Sequence, residues 1–286
     1  MKSLKSMLVA ALFAVCFGVG LSACYDDSAD IRFFSGEQLI DQVGTCTNFV
    51  SHITLYLNGN AGANVGIAYG KGGYQAVTSD VKVVKVGIEA DRLILTAGGA
   101  KGSAVVTVTD EKGNQAQLTV ECGTGVYTYK CIQAGAVPMT ESKEVITDLQ
   151  PVVTEALADY APMAKGGQWV LIPDKINSET ETGTLNVYAD ETAQPVEGTY
   201  TLGVVEEEQP AFFIPQKYNF SYADEEHEFR ITPYATGSRM TGIIPIYFME
   251  DVTARFQTAS PSTTLPEGAK VYFVAKVTSK GFALQD

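Results

Sequence analysis

Five cysteines and two histidines carry most of the nucleophilic or metal-binding chemistry open to this chain. Cys16 lies inside an N-terminal apolar run, where cysteine behaves as a small hydrophobe, and Cys24 closes that run. Cys46, Cys122 and Cys131 follow; an odd number permits at most one internal bridge. Cys122 and Cys131 are close enough in sequence to pair across a turn, whereas Cys46 would have to come from the far end of the first domain. The spacing favours a Cys122–Cys131 disulfide, with three free thiols as the alternative. His52 falls in a strand pattern and His227 in Asp224-Glu-Glu-His-Glu228. Neither has a second histidine or cysteine at ligand spacing, so no zinc site is expected. His227 amid carboxylates could be a metal or pH-responsive spot, but the pattern favours a solvated turn leading into Glu228–Ile231. Glu206–Glu208 and Asp224–Glu226 lack the one-three-five spacing and central glycine of a dedicated calcium loop. No Gly-x-Ser-x-Gly elbow or phosphate-binding glycine loop occurs. The expectation is a protein that is not an enzyme and holds no cofactor or metal. An exported hydrolase is the alternative, and it would need two carboxylates facing one another across a cleft.

The N-terminus supplies an address. Lys2 and Lys5 precede an uncharged, mostly apolar core from Met7 to Gly20. That core is shorter than the about 20 apolar residues needed to span a bilayer, so it reads as a secretory signal, residues 1–23. Leu21-Ser22-Ala23-Cys24 resembles the bacterial lipobox at all four positions. The resemblance implies cleavage between Ala23 and Cys24 and a thioether-linked diacylglycerol on Cys24, often with acylation of the new amine. One acyl chain is a marginal anchor at roughly 0.8 kcal/mol per buried methylene; two or three hold essentially permanently. Tyr25, where an inner-membrane retention signal would place aspartate, favours the outer membrane of a Gram-negative bacterium. The acids Asp26, Asp27 and Asp30 resemble the surface-export signal of Bacteroidota lipoproteins, which implies a cell-surface location.

The full chain of 286 residues carries a formal charge of −13; cleavage removes Lys2, Lys5 and no acid, leaving −15. With no basic run, no nucleic-acid partner is expected, and the acyl chains must do the membrane work. The roughly 260 residues beyond the signal exceed one typical domain, so two are expected. Residues 24–45 read as a lipidated tether, with one or two helical turns at 35–43 capped by Ser35.

From about 46 to 123 the pattern is period-two runs broken by turn residues. Seven strands are expected: 52–57, 65–69, 74–78, 81–88, 92–96, 103–109 and 115–120, with a hairpin turn at Asp110–Asn114. This density indicates a two-sheet sandwich. Gly72-Gly73-Tyr74, Ser79-Asp80 and Val106-Thr-Val-Thr-Asp110 resemble the bacterial Ig-like domains of surface proteins. In those, the Gly-Gly-Tyr stretch enters a central strand; the resemblance implies a spacer, adhesive unit or accessory module and no particular activity.

Gly123-Thr-Gly125 marks a boundary, and residues 124–286 read as a second β-rich domain with one or two helices near its start. Val145, Ile146, Leu149, Val152, Val153, Ala156, Leu157 and Tyr160 form one helical stripe, placing a helix at about 141–160 with Thr140 as cap and Pro151 as a kink or a second start. Strands are expected at 126–132, 168–172, 184–189, 199–205, 212–214, 227–231, 243–248, 252–256 and 270–278. Trp169, Tyr188, Tyr200, Phe212, Phe213, Tyr218, Tyr222, Tyr234, Tyr247 and Phe248 cluster here; most should be core, though exposed rings would give sugars stacking platforms. The fold expected is mainly β, and the partners are a membrane through the lipid on Cys24 and a surface protein or glycan.

Overall fold

Period-two alternation dominates the sequence, and a computed structural model of the chain is correspondingly mainly strand. It describes residues 30–41, 46–176, 180–190, 192–205, 214, 216–233 and 246–285. The signal, the lipobox Leu21–Cys24, the triple acid Glu206–Glu208 and the rings of Phe212, Phe213 and Tyr234 lie outside these.

The first unit is built from β1 (Arg32–Phe34), β2 (Phe49–Val50), β3 (His52–Tyr56), β4 (Gly62–Ala68), β5 (Gln75–Thr78), β6 (Val84–Glu89), β7 (Arg92–Ala97), β8 (Gly102–Thr109) and β9 (Gln115–Gly123). They form two sheets, β2-β1-β4-β7-β6 and β3-β9-β8-β5, packed on a core that includes Leu55, Val65, Leu93, Leu95, Val106, Leu118 and Val120. All seven expected strands are present. The Gly72-Gly73-Tyr74 stretch, however, enters β5, which among the described residues is an edge strand paired with β8 alone. The Asp110–Asn114 turn closes the β8–β9 hairpin. Burial pushes the Asp110 carboxyl up, but hydrogen bonds from the Asn114 side chain and the N–H groups of Asn114, Lys112 and Lys71 outweigh it and hold it below the usual carboxylate range.

Part of the expected tether, 24–45, belongs to the sandwich. Ile31, Phe33 and Phe34 are buried, and β1 inserts between β2 and β4. The helical turns expected at 35–43 are absent in the described part, residues 35–41. There the Asn48 side chain donates to the carbonyls of Ser35 and Gln38 and accepts from the N–H of Ile40. Those backbone groups bond across to one asparagine and not along a helix.

The second unit is a closed, eight-stranded, antiparallel barrel, in which every strand pairs with its sequence neighbours and the last returns to the first. Its strands are β10 (Gly125–Met139), β11 (Gln168–Pro173), β12 (Glu181–Tyr188), β13 (Val196–Val204), β14 (Gln216–Tyr222), β15 (Glu225–Pro233), β16 (Ile246–Asp251) and β17 (Lys270–Leu284). β10 and β17 pair from Gly125↔Leu284 to Met139↔Lys270. At this strand number the interior is narrow enough for side chains to fill. Trp169 sits at its centre, fully buried, its indole centroid 4.9 Å from Phe220 and Phe229 and 5.2 Å from Phe248. Of the ten aromatics singled out above, Trp169, Tyr200, Tyr218 and Phe248 are core.

Three sequence expectations for this unit are corrected. The helix at 141–160 shrinks to a 3₁₀ turn (Thr147–Leu149) running into α1 (Gln150–Ala156), because Pro151 opens α1 in its first turn, where a missing N–H is harmless. Thr140 instead closes a tight turn, its hydroxyl accepting from Glu144 N–H, and Val145 is left half exposed. Residues 252–256, expected as a strand, lead into α2 (Thr253–Ala259); Val252 and Phe256, four apart, share the buried face. The second helix therefore lies between the last two strands, not near the start. Finally, Cys122 and Cys131 are both free. Cys122 packs in the sandwich core and Cys131 in the barrel core, so each thiol belongs to a different interior.

One residue, Thr124, separates β9 from β10, yet the joint is tied by side chains. Asn58, in the β3–β4 turn, donates to the carbonyls of Gly125 and Pro173 (both 2.9 Å) and accepts from Gly125 N–H at 2.8 Å. Tyr56 packs edge-on against Phe282 of β17, centroids 4.6 Å apart, and a Cβ on Gly125 would lie 2.0 Å from the Phe282 ring. Asn58→Ala leaves three backbone groups without their partner, and we expect it to cost about 1–3 kcal/mol. It should also open the Gly123–Gly125 joint to protease; unchanged denaturant midpoint and cleavage rate would show that the joint does not depend on Asn58.

Candidate functional site

Strand direction separates the two ends of the barrel. β10, β12, β14 and β16 run away from the sandwich and β11, β13, β15 and β17 return, so Tyr222, Glu225, Glu250 and both helices lie at the outer mouth. Pro173, Glu181 and Leu284 lie at the end that abuts the sandwich.

Each end places a carboxylate at an inward-facing position. At the inner end Glu181 is 5 % exposed and accepts from Tyr200 Oη–H at 2.7 Å, beside the Tyr129–Tyr218 hydroxyl pair at 3.4 Å. Burial pushes the Glu181 carboxyl up, opposed in part by the Tyr200 hydrogen bond. Burial, followed by the neighbouring carboxylate, raises the Tyr200 phenol.

The outer mouth carries the richer constellation. His227 on β15 and Glu250 on β16 point inward and are buried, 4 % and 9 % exposed. The sequence reading of a solvated turn at His227 is therefore wrong. Along β15, positions 227, 229 and 231 all face the core, and the acids flanking His227 point outward. Its imidazole stacks between Tyr222 (centroids 4.9 Å) and Phe229 (6.0 Å). His227 Nδ1 lies 3.2 and 3.3 Å from the two Glu250 oxygens and 3.2 Å from Tyr160 Oη. Tyr160 follows α1 and donates to Glu250 Oε2 at 2.6 Å. Burial first, and this hydrogen bond second, raise its phenol far above the ordinary value.

These contacts fix the imidazole tautomer. The single Tyr160 hydrogen is committed to Glu250, so the groups facing Nδ1 are acceptors and Nδ1 carries the proton. In a neutral imidazole that tautomer leaves the lone pair on Nε2, and His227 lines a cavity of about 390 Å³. Its walls include Tyr160, Tyr222, Asp159, Glu225 and Arg255. Arg255, on α2, lies over the Tyr160 ring at 4.2 Å and pairs with Glu225 at 3.3 Å. Both members of that pair are half exposed, so it contributes little to stability. The β14–β15 hairpin at the rim turns through Ala223 and Asp224, both at positive φ (52° and 62°). Side chains favour glycine or asparagine there. Among the described residues, no three His, Cys, Asp or Glu side chains converge as metal ligands.

The sequence pointed to His227 and Tyr222 singly but could not join them to Tyr160, Glu250 and Arg255, which come from other elements. A histidine at an inward position of an alternating strand was the available signal. Of the other residues singled out, His52 is exposed and pairs with Glu121 at 3.5 Å, far from this mouth. No family model matches the chain, and no curated protein matches it.

Glu181 is linked to pH with a definite sign. Its folded value is raised, so the folded state loses stability as pH climbs from the unfolded carboxylate value through the folded one. Glu181→Gln should raise the thermal midpoint at pH 7 by a few degrees, the advantage vanishing near pH 4. An equal or lower midpoint at pH 7 would refute the burial penalty. Tyr160→Phe removes a donor from buried Glu250 and should destabilise by about 1–3 kcal/mol in urea titration; no change would mean the hydroxyl contributes nothing.

Proposed function

We propose that this chain is a membrane-anchored, non-catalytic surface lipoprotein, in which an Ig-like sandwich acts as a stalk and the barrel as the interaction module. The observation that carries this reading is polarity along the molecule. β1 is antiparallel to β4, with Arg32 opposite Ala68, so the chain enters the sandwich at the end remote from the β3–β4 turn that clamps the barrel. Arg32, where the described chain enters the sandwich, and the outer mouth of the barrel thus lie at opposite ends. A joint with one intervening residue, held by Asn58 and the Tyr56–Phe282 contact, transmits that separation.

A second reading, a glycan-binding accessory lipoprotein of an outer-membrane polysaccharide uptake system, is favoured by the mixed aromatic and polar lining of the mouth. Neither reading needs a reaction. His227 and Glu250 have the orientation of a base and its positioning carboxylate, but the described cavity wall offers no serine, threonine or cysteine for the base to activate.

Lipidation has its own test. Cys24→Ser should release the protein from the membrane fraction and remove the gel-mobility shift of the acylated form. If both were unchanged, the anchor would be wrong whatever the barrel binds.

A further inference from the structure

We propose that the outer mouth binds the ring of a neutral saccharide, with the Nε2 lone pair of His227 as its buried hydrogen-bond acceptor. The proposal deepens the glycan reading and rests on it.

Nε2 is a polar atom on a side chain only 3 % exposed, and that side chain lines the cavity. Among the described residues Nε2 makes no hydrogen bond to a donor; Glu225 Oε2, 3.9 Å away, is itself an acceptor. Glu250 and Tyr160 hold the ring in one tautomer, and Tyr222 and Phe229 hold its plane, so the acceptor is preorganised. A buried acceptor of this kind selects a ligand that brings a donor.

The remaining wall narrows the ligand class. Glu225 and Asp159 add carboxylate acceptors, and Arg255 adds a planar donor whose position is already set by Tyr160 and Glu225. Adjacent hydroxyls on a pyranose meet such an alternation, donating to Nε2 and a carboxylate while accepting from the guanidinium. The ring face is apolar and suits the tyrosines that line the mouth. With carboxylates outnumbering the one guanidinium, an anionic sugar is disfavoured. A free amine would compete with Arg255 for the seat between Tyr160 and Glu225, exchanging one cation for another. The cavity, about 390 Å³, falls within the range of small-ligand sites.

The chain contains two histidines, so long-range ¹H–¹⁵N spectra of the imidazoles read the site directly, with exposed His52 as an internal reference. The full-length protein in detergent micelles is titrated with neutral oligosaccharides built from glucose, mannose, galactose or N-acetylhexosamine. Parallel titrations use a uronate-containing oligosaccharide and spermidine. The expected result is an Nδ1–H tautomer at His227 before addition and a saturable shift of its Nε2 resonance with at least one neutral saccharide, His52 staying fixed. Substituting His227 would strip Glu250 of a partner and could unfold the mouth, so the variant is Glu225→Ala at a half-exposed position. It should weaken the neutral ligand at least tenfold while Trp169 fluorescence stays native. An Nε2–H tautomer, or undiminished affinity in the variant, overturns the proposal. A response to the uronate alone also overturns it but leaves the glycan reading standing; a response to spermidine alone, or to nothing in the panel, removes both. None of these outcomes bears on the anchor, which Cys24→Ser tests separately.

Discussion

An eight-stranded barrel has an interior narrow enough for side chains to fill, and here they do, a constraint that governs the second half of this protein. Trp169 and the phenylalanines around it occupy the middle, leaving inward positions near the two ends as the places where a polar side chain can face inward and still find partners. Those positions hold Glu181 at one end and His227 with Glu250 at the other. Hydrogen-bonded polar side chains thus gather near the mouths, while Trp169 Nε1 in the middle finds no hydrogen-bond partner among the described residues; the sandwich occupies one mouth.

The inner mouth is a joint. Asn58 reaches from the sandwich to two strands of the barrel, and Gly125 lets the Phe282 and Tyr56 rings close over the backbone. The outer mouth is roofed by two short helices, and neither is stable alone at seven residues. Their burial of Val153 and Phe256 against the barrel end gives them their stability, and it places Tyr160 and Arg255 beside β15. The same packing that stabilises the cap therefore assembles the cavity.

Legibility in the sequence followed the range of the physics. Turns and strands set by near neighbours were readable: the seven sandwich runs, the Asp110–Asn114 hairpin and the Gly123–Gly125 break all occur as expected. Elements whose state depends on remote partners were not. Val252–Phe256 alternates weakly enough to pass for a strand, and only the barrel end decides that its spacing of four is the buried one. Gln216–Tyr222 went unread although its rings alternate, because the closure that needs a strand there is a property of the whole barrel. Ile31–Phe34 looked like tether until β4 offered it an open edge.

What the sequence determined by itself is the class: the period-two runs are local, and they make the chain mainly β without reference to its fold. The lipobox resemblance of Leu21–Cys24 is local too, and the address it implies is a proposal. Only the tertiary structure decided the site. His227 reads as one more residue in an acidic run, and its neighbours in sequence, Glu226 and Glu228, are exposed. Strand pairing turned it inward, and β16 and the segment after α1 supplied Glu250 and Tyr160 to fix its proton. Contacts 23 and 67 residues apart have no local signature, which is why the mouth of the barrel could not be found until the barrel closed.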